Sequence, residues 1–265
     1  MKKTILLFFI AISVICKSQT DIQTKSNLVA DGKIFTSLYQ QKSAEYKALC
    51  FQAYNIAQLR LEQTLKSPSS KTKKRVVVTD IDETVLDNSP SAVHQALIGK
   101  DYEPNAWMEW TNLAKSDTLA GALTFFKYCK SKNVEVFYIT NRNEKERGAT
   151  LKNLQKFGFP YADSTHLMLK KTTSSKEERR KIVSEQFDIV LLLGDNLADF
   201  SELFDKKTSD ERTLNVQQHA ADFGKKFIVL PNPNYGDWEG SLYQYNYKYS
   251  PAEKDSIIKS NLKNY

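Results

Sequence analysis

The sequence has few of the residues that mark unusual chains. Nine glycines and seven prolines in 265 residues exclude a collagen or low-complexity chain. Three cysteines do not make a disulfide scaffold. His94, His166 and His219 show no metal-ligand spacing. No internal repeat is visible, and after residue 15 no hydrophobic run is long enough to span a bilayer. No stripe of basic residues marks a nucleic-acid footprint. What remains is ordinary globular material, 41% hydrophobic, 11% aromatic and 26% charged, which excludes whole-chain disorder or coiled coil. The length allows one large domain with a core that buries most of the apolar surface.

The N-terminus, MKKTILLFFIAISVICKSQT, has the form of an export signal. Lys2 and Lys3 precede an apolar run from Ile5 to Ile15, and small or polar residues follow. Cleavage between Ser18 and Gln19 gives a signal peptide over 1–18. Lipidation at Cys16 is the alternative, although Ile15 stands where lipoprotein signals usually carry a small residue. Both exits place the protein outside the cytoplasm, in the periplasm or at the outer-membrane surface, with a lipid anchor in the second case. Cleavage removes Lys2, Lys3 and Lys17 and no acid, so the formal charge falls from +7 to +4. That charge favours solubility and mildly attracts anions. Export permits a disulfide between Cys50 and Cys129. Two small buried apolar side chains are the simpler expectation.

Residues 27–66 carry a helical pattern, with Leu28, Ile34, Leu38, Tyr46, Leu49, Ala53 and Ile56 mostly three or four apart. SPSSKTKK (67–74) breaks it. Then RVVVTD (75–80), VEVFYIT (134–140), THLMLK (165–170), DIVLLLGD (188–195) and KKFIVLPNP (225–233) read as strands. Helical stretches at 121–132, 144–157 and 174–187 lie between them, the last opening on serines expected to cap it. This alternation predicts an α/β fold, a parallel doubly wound sheet. The stretch 89–119, with Trp107 and Trp110, reads as a small cap inserted over the strand ends. A charged, exposed helix is expected from Pro251. The mature chain, 19–265, is then a single domain with flanking N-terminal helices at 27–66.

Four acids stand out by position. Asp80 ends the first strand and Asp82 lies two residues on. Asp195 ends VLLLG and Asp199 lies four residues on. Ligands of a parallel sheet bind outside the carboxyl ends of its strands. Any one of these acids reads equally well as a turn residue; all four at two strand ends make an oxygen-rich pocket. Such hard donors suit Mg²⁺.

VVVTDIDETVLDNS resembles the first motif of the haloacid-dehalogenase-like phosphatases, which use an aspartate nucleophile. Together with VLLLGDNLADF it resembles their class C acid phosphatase branch, the lipoprotein e family of nucleotidases. WMEW (107–110), VFYITNR (136–142) and LPNPNYGDWEG (230–240) are similar to further segments of that branch. The resemblance implies that Asp80 attacks phosphorus and that Asp82 serves as acid and then base. It implies Mg²⁺ held by Asp80, the backbone carbonyl of Asp82 and Asp195, with Asp199 supporting that shell. It implies a phosphoryl contact from Thr140, which is otherwise a simple strand former. Lys176 is expected to neutralise the aspartyl-phosphate, with Lys170 and Lys171 as competitors. Asn141 and Arg142 are expected to meet phosphate or ribose, and Tyr235 to stack on a nucleobase. One departure stands out. The branch has a tyrosine three residues after its Asn, but Asn88 is followed by Ser89, Pro90 and Ser91, so Trp107 or Trp110 would have to complete the clamp.

The expected activity is an exported, Mg²⁺-dependent acid phosphatase or 5′-nucleotidase that acts on nucleoside monophosphates. Its partner is a small phosphomonoester rather than nucleic acid, and the oligomeric state stays open. Acid at position 82 fits phosphatases and phosphomutases, and export disfavours a mutase. An idle relative that binds a phosphorylated ligand is the alternative; such proteins typically lose the nucleophile, and Asp80 is present. A surface adhesin or nucleic-acid binder with a metal site is the third reading, disfavoured by the modest charge and the lack of a basic stripe.

Overall fold

The computed structural model describes residues 27–67 and 73–265. The expected leader and its exits at Cys16 and Ser18 lie outside the described residues. Helices α1 (Leu28–Lys42) and α2 (Ala44–Lys66) are the N-terminal helices expected over 27–66. Ser43 separates them with extended backbone, and its hydroxyl accepts from the Tyr46 N–H, capping α2. Strand β1 (Arg75–Thr79) follows, then β2 (Leu86–Asp87), α3 (Ser89–Leu97), α4 (Pro104–Asn112) and β3 (Asp117–Thr118). The rest alternates: α5 (Ala122–Ser131), β4 (Glu135–Asn143), α6 (Arg147–Phe157), β5 (Leu167–Lys170), α7 (Glu177–Gln186) and β6 (Asp188–Gly194). It closes with α8 (Ser209–Gln218), β7 (Phe227–Val229), α9 (Asp237–Leu242) and α10 (Pro251–Asn261).

Five strands form one sheet in the order β5-β4-β1-β6-β7, every neighbouring pair parallel. The fold is therefore the expected α/β one. β1 is central because its valines serve both faces. Val77 packs with Leu191, Leu193 and Tyr138 on the α2–α5 side; Val76 and Val78 pack with Phe137, Leu192 and Val183 on the other. All three valines are buried, which is why the run shows no polar alternation. The chain leaves β1 towards β4 and returns to β6 on its other side. That reversal opens a crevice at the carboxyl ends of β1 and β6.

Several boundaries differ from the sequence reading. The fifth strand keeps only Phe227–Val229 of 225–233, and β5 only Leu167–Lys170 of 165–170. The serines expected to cap α7 fall too early. Lys176 occupies the N-cap position, and the Glu177 N–H reaches Ser175 Oγ only at 3.5 Å. Cys50 and Cys129 are buried free thiols, as the simpler expectation had it. The stretch 89–119 holds α3 and α4, and β2 pairs antiparallel with β3 at its base. Among the described residues no helix is long and apolar enough to cross a membrane.

The C-terminal helix is mostly exposed, as expected, except at two positions. Lys254 and Asp255 of α10 are buried, because each has a partner. Asp255 accepts from the Leu28 N–H at 2.9 Å and so caps α1. Lys254 donates to Asp101 at 2.7 Å, and Lys33 of α1 contacts the same carboxylate. Burial pushes the Asp101 carboxyl up, but Lys33 and Lys254 overrule it and hold it at about 2. A carboxyl depressed in the folded state stabilises the fold above its unfolded value, and the benefit fades as pH falls through the folded one. Asp101 is 31% exposed, so solvent screening discounts the effect. Asp101→Asn should cost about 1–2 kcal/mol at neutral pH, by urea unfolding. The cost should shrink between pH 3.8 and about 2. A constant cost across that window would show that charge plays no part.

Candidate active site

Asp80 follows β1, and its N–H donates to the Leu193 carbonyl at 2.9 Å, which ties it to the end of β6. Asp195 follows β6. Asp199 sits in a short 3-10 turn, Leu197–Asp199, whose capping box returns its Oδ2 to the Asn196 N–H at 3.1 Å. That turn folds Asp199 back over the strand end. Gly194 makes this feasible: a Cβ there would stand 2.5 Å from Asp199 Cβ and 2.8 Å from its Cγ. Carboxylate oxygens of Asp80, Asp195 and Asp199 consequently lie within 4.8 Å of one another.

Lys176 enters this cluster from the start of α7. Its Nζ contacts Asp80 and lies 2.7 Å from Asp199 Oδ1. Of the three lysines considered from sequence, it is the one that meets Asp80. Burial alone would lower its pKa; Asp199 and Asp80 reverse that and hold it raised. Burial raises the Asp80 carboxyl well above its usual range. Lys176 opposes the shift, and Asp199, Asp195 and Asp82 add to it. Asp195 is pushed up to about 7 by burial and by Asp199. Thr84 Oγ1 donates to Asp195 at 3.0 Å and Asn232 Nδ2 at 2.8 Å, which fixes its plane. Three carboxyls against one ammonium leave a formal charge of two negative in an oxygen-rich setting. Carboxyls held this far up favour added positive charge, so the donor set fits a hard dication such as Mg²⁺.

Asp82 belongs to a second group. Its Oδ1 accepts from Arg142 Nη2 at 2.6 Å, Asn88 Nδ2 at 2.9 Å and Arg142 Nε at 3.0 Å. Oδ2 accepts more weakly, from Arg142 Nε at 3.2 Å and Thr140 Oγ1 at 3.3 Å. Arg142, expected to meet phosphate or ribose, is instead fully buried against Asp82 and Thr150. A guanidinium with no exposed surface needs a carboxylate partner, and Asp82 is that partner. Thr140 Oγ1 also accepts the Arg142 N–H at 3.1 Å. Asn141 is exposed at the end of β4, and its Oδ1 accepts from Arg179 Nη2 at 2.7 Å.

Tyr235 donates its hydroxyl to Glu83, and its ring lies 6.5 Å from that of Trp107 at 74°. Trp107 in turn lies 6.2 Å from Tyr102. Trp110 faces elsewhere, with its Nε1 donating to Asn88 at 2.8 Å. The tryptophan that meets Tyr235 is thus Trp107.

Sequence reasoning missed Glu83, Asn88, Arg179 and Asn232. Glu83 is buried, adopts φ 56°, and is pushed up to about 8 by burial and by Asp82. A left-handed glutamate inside DIDET has no sequence signature. Asn88 stood in a quoted motif, yet its four side-chain bonds come from elements up to 28 residues away.

The model of the family described as HAD superfamily, subfamily IIIB (Acid phosphatase) matches residues 10–238. Acid phosphatase 1 of Solanum lycopersicum is 28% identical over 132 residues, 47% of this chain and 51% of the relative. The chain therefore spans about half the length of that curated relative. The structure of the class C acid phosphatase from Bacillus anthracis covers 89% of this chain and 99% of its own, at 45% identity and TM-score 0.85. A crystal structure of the class C acid phosphatase from the same organism with tungstate bound covers 91% and 100%, at 44% identity and TM-score 0.86. With the family model matched over most of its length and an α/β sheet of the same build, the chain belongs to the HAD superfamily, subfamily IIIB acid phosphatases.

Proposed function

We propose that this chain is an exported, Mg²⁺-dependent phosphomonoesterase that works through an aspartyl-phosphate on Asp80 and prefers nucleoside monophosphates. The observation that carries this reading is Lys176, a buried ammonium placed on Asp80 among three carboxylates at the end of β1 and β6. Similarity to an acid phosphatase solved with tungstate, a tetrahedral oxyanion, supports it.

In this reading an Asp80 oxygen attacks phosphorus, and the bond to the ester oxygen breaks with its electron pair. Asp82 gives that oxygen its proton. Water then attacks the phosphoryl group as Asp82 takes a proton back, and the bond to Asp80 breaks to release phosphate. Lys176 neutralises charge on the carboxylate as the phosphoryl group arrives. Mg²⁺, when bound, supplies further neutralisation of the phosphoryl oxygens. Asp80, Asp195 and Asp199 would hold it, with the Asp82 carbonyl. Thr140 and Asn141 contact phosphoryl oxygens, and Arg142 acts by holding Asp82. Residues 89–119 form the cap, and Tyr235 with Trp107 accepts the base. Residues 1–18 direct export, by cleavage or through a lipid on Cys16. Residues 19–265 act as one domain.

Phosphate release from nucleoside 5′-monophosphates, sugar phosphates and an aryl phosphate, with and without Mg²⁺, tests this directly. Magnesium-dependent turnover favouring nucleotides is expected, with a chelator lowering it by a factor of about 10³ or more. Turnover of the aryl ester alone would retain the phosphatase and remove the nucleotidase. No turnover of any ester would leave a binding protein.

A further inference from the structure

Asn88 is 2% exposed and takes part in no step above, yet its bonding is complete. Its Oδ1 accepts from Trp110 Nε1 and from Ser116 Oγ, each at 2.8 Å. Its Nδ2 donates to Asp82 Oδ1 at 2.9 Å and more weakly to the Leu86 carbonyl at 3.5 Å. Its backbone N–H donates to Glu83 Oε1 at 2.7 Å. An indole N–H only donates, so the amide has one orientation here: oxygen to Trp110, nitrogen to Asp82. Trp110 lies on α4 and Ser116 just before β3, both within 89–119. Thr111 of α4 is tied in turn to the buried Glu146, at 2.7 Å.

The bonds at Asp82 are uneven. Three donors at 2.6, 2.9 and 3.0 Å occupy Oδ1. Oδ2 meets only the two longest contacts, 3.2 and 3.3 Å. A carboxyl oxygen crowded by donors is a poor seat for a proton, and the other oxygen is then the better one.

We propose that Asn88 is a positioning residue through which Trp110 and Ser116 hold the Asp82 carboxyl, fixing Oδ2 as the oxygen that passes its proton to the leaving group. This rests on the assignment of Asp82 as general acid. The proton moves from Oδ2 to the ester oxygen as the phosphorus–oxygen bond breaks towards that oxygen, leaving Asp82 as carboxylate. An alkoxide needs that proton; a nitrophenolate leaves without it.

The test compares kcat/KM for a nucleoside 5′-monophosphate and for 4-nitrophenyl phosphate, since kcat/KM reports only the steps up to departure of the leaving group. In Asn88→Asp the Trp110 and Ser116 donors still find oxygen, but the donor to Asp82 is lost. The nucleotide value should fall about 10²-fold and the aryl value less than about 5-fold. Equal falls on both esters, or no fall on either, would overturn the proposal. Trp110→Phe removes one hydrogen bond to the amide and covers the case in which Asn88→Asp fails to fold. It should show the same split at about 5-fold against less than about 2-fold, and equal effects would again overturn the proposal. Asp82→Asn separates the two claims. A split there without one in Asn88→Asp defeats only the role of Asn88. No split in Asp82→Asn defeats the general-acid reading and this inference with it.

Discussion

Asp80→Asn is expected to lower phosphate release by a factor of about 10⁴ or more, while the folded protein survives. The loss follows from chemistry: an amide at the end of β1 offers no anionic oxygen to phosphorus, and no neighbour can replace it. Asp195 is held by Thr84 and Asn232, and Asp199 is folded onto Gly194 and Lys176. Survival follows from electrostatics. The Asp80 carboxyl is raised well above its ordinary value by burial and by three neighbouring acids. An acid raised in the folded state loses stability for the fold as pH climbs from the unfolded value to the folded one. Asparagine removes that loss. The metal-free variant should therefore be at least as stable as the parent at neutral pH, by urea unfolding. Retained turnover would contradict the first half, and an unfolded variant the second.

Lys176→Met should act in the opposite sense on stability. The parent ammonium is buried and paired with Asp80 and Asp199. Without it, two negative charges in the cluster become three. Removing one partner of a buried ion pair typically costs about 3–5 kcal/mol, and part of that is recovered here because Asp80 and Asp195 already bind protons readily. A cost of about 2–3 kcal/mol in metal-free protein is expected. Added Mg²⁺ should raise the variant's thermal midpoint more than the parent's, because the dication meets a more negative site. Turnover should still fall about 10²- to 10³-fold, since charge on the attacked carboxylate is no longer neutralised. Retained activity would remove Lys176 from the mechanism. An unchanged stability in chelator would show that the ion pairs contribute nothing.

The large elements were legible in sequence for a simple reason. A central parallel strand is buried on both faces, so β1 and β6 appear as largely apolar runs, and an acid follows each. Asp80, Asp82, Asp195 and Asp199 were thus grouped from sequence, and the fold keeps three of them together while Asp82 turns to Arg142 and Asn88. Lys176 was harder: α7 begins after the serines rather than on them, and that shift turns a lysine of a charged helix into a buried one. The partners of Asp82 were not legible. Arg142 was expected to meet phosphate or ribose, and only packing shows it enclosed against Asp82. Asn88 depends on Trp110 and Ser116, which approach through the folding of 89–119 and not through any local pattern. The burial of Lys254 and Asp255 has the same origin, since their partners lie 153 and 227 residues away.

The proposed mechanism turns on a covalent bond between phosphorus and Asp80. Acid-quenching the enzyme during turnover and reducing it with borohydride converts an aspartyl-phosphate, but not a free carboxyl, into an alcohol. Peptide mass spectrometry then locates the reduced residue. Reduction is expected at Asp80, dependent on substrate and absent from Asp80→Asn. Reduction at another acid, or turnover with no trapped adduct in either the parent or Asp82→Asn, would contradict it.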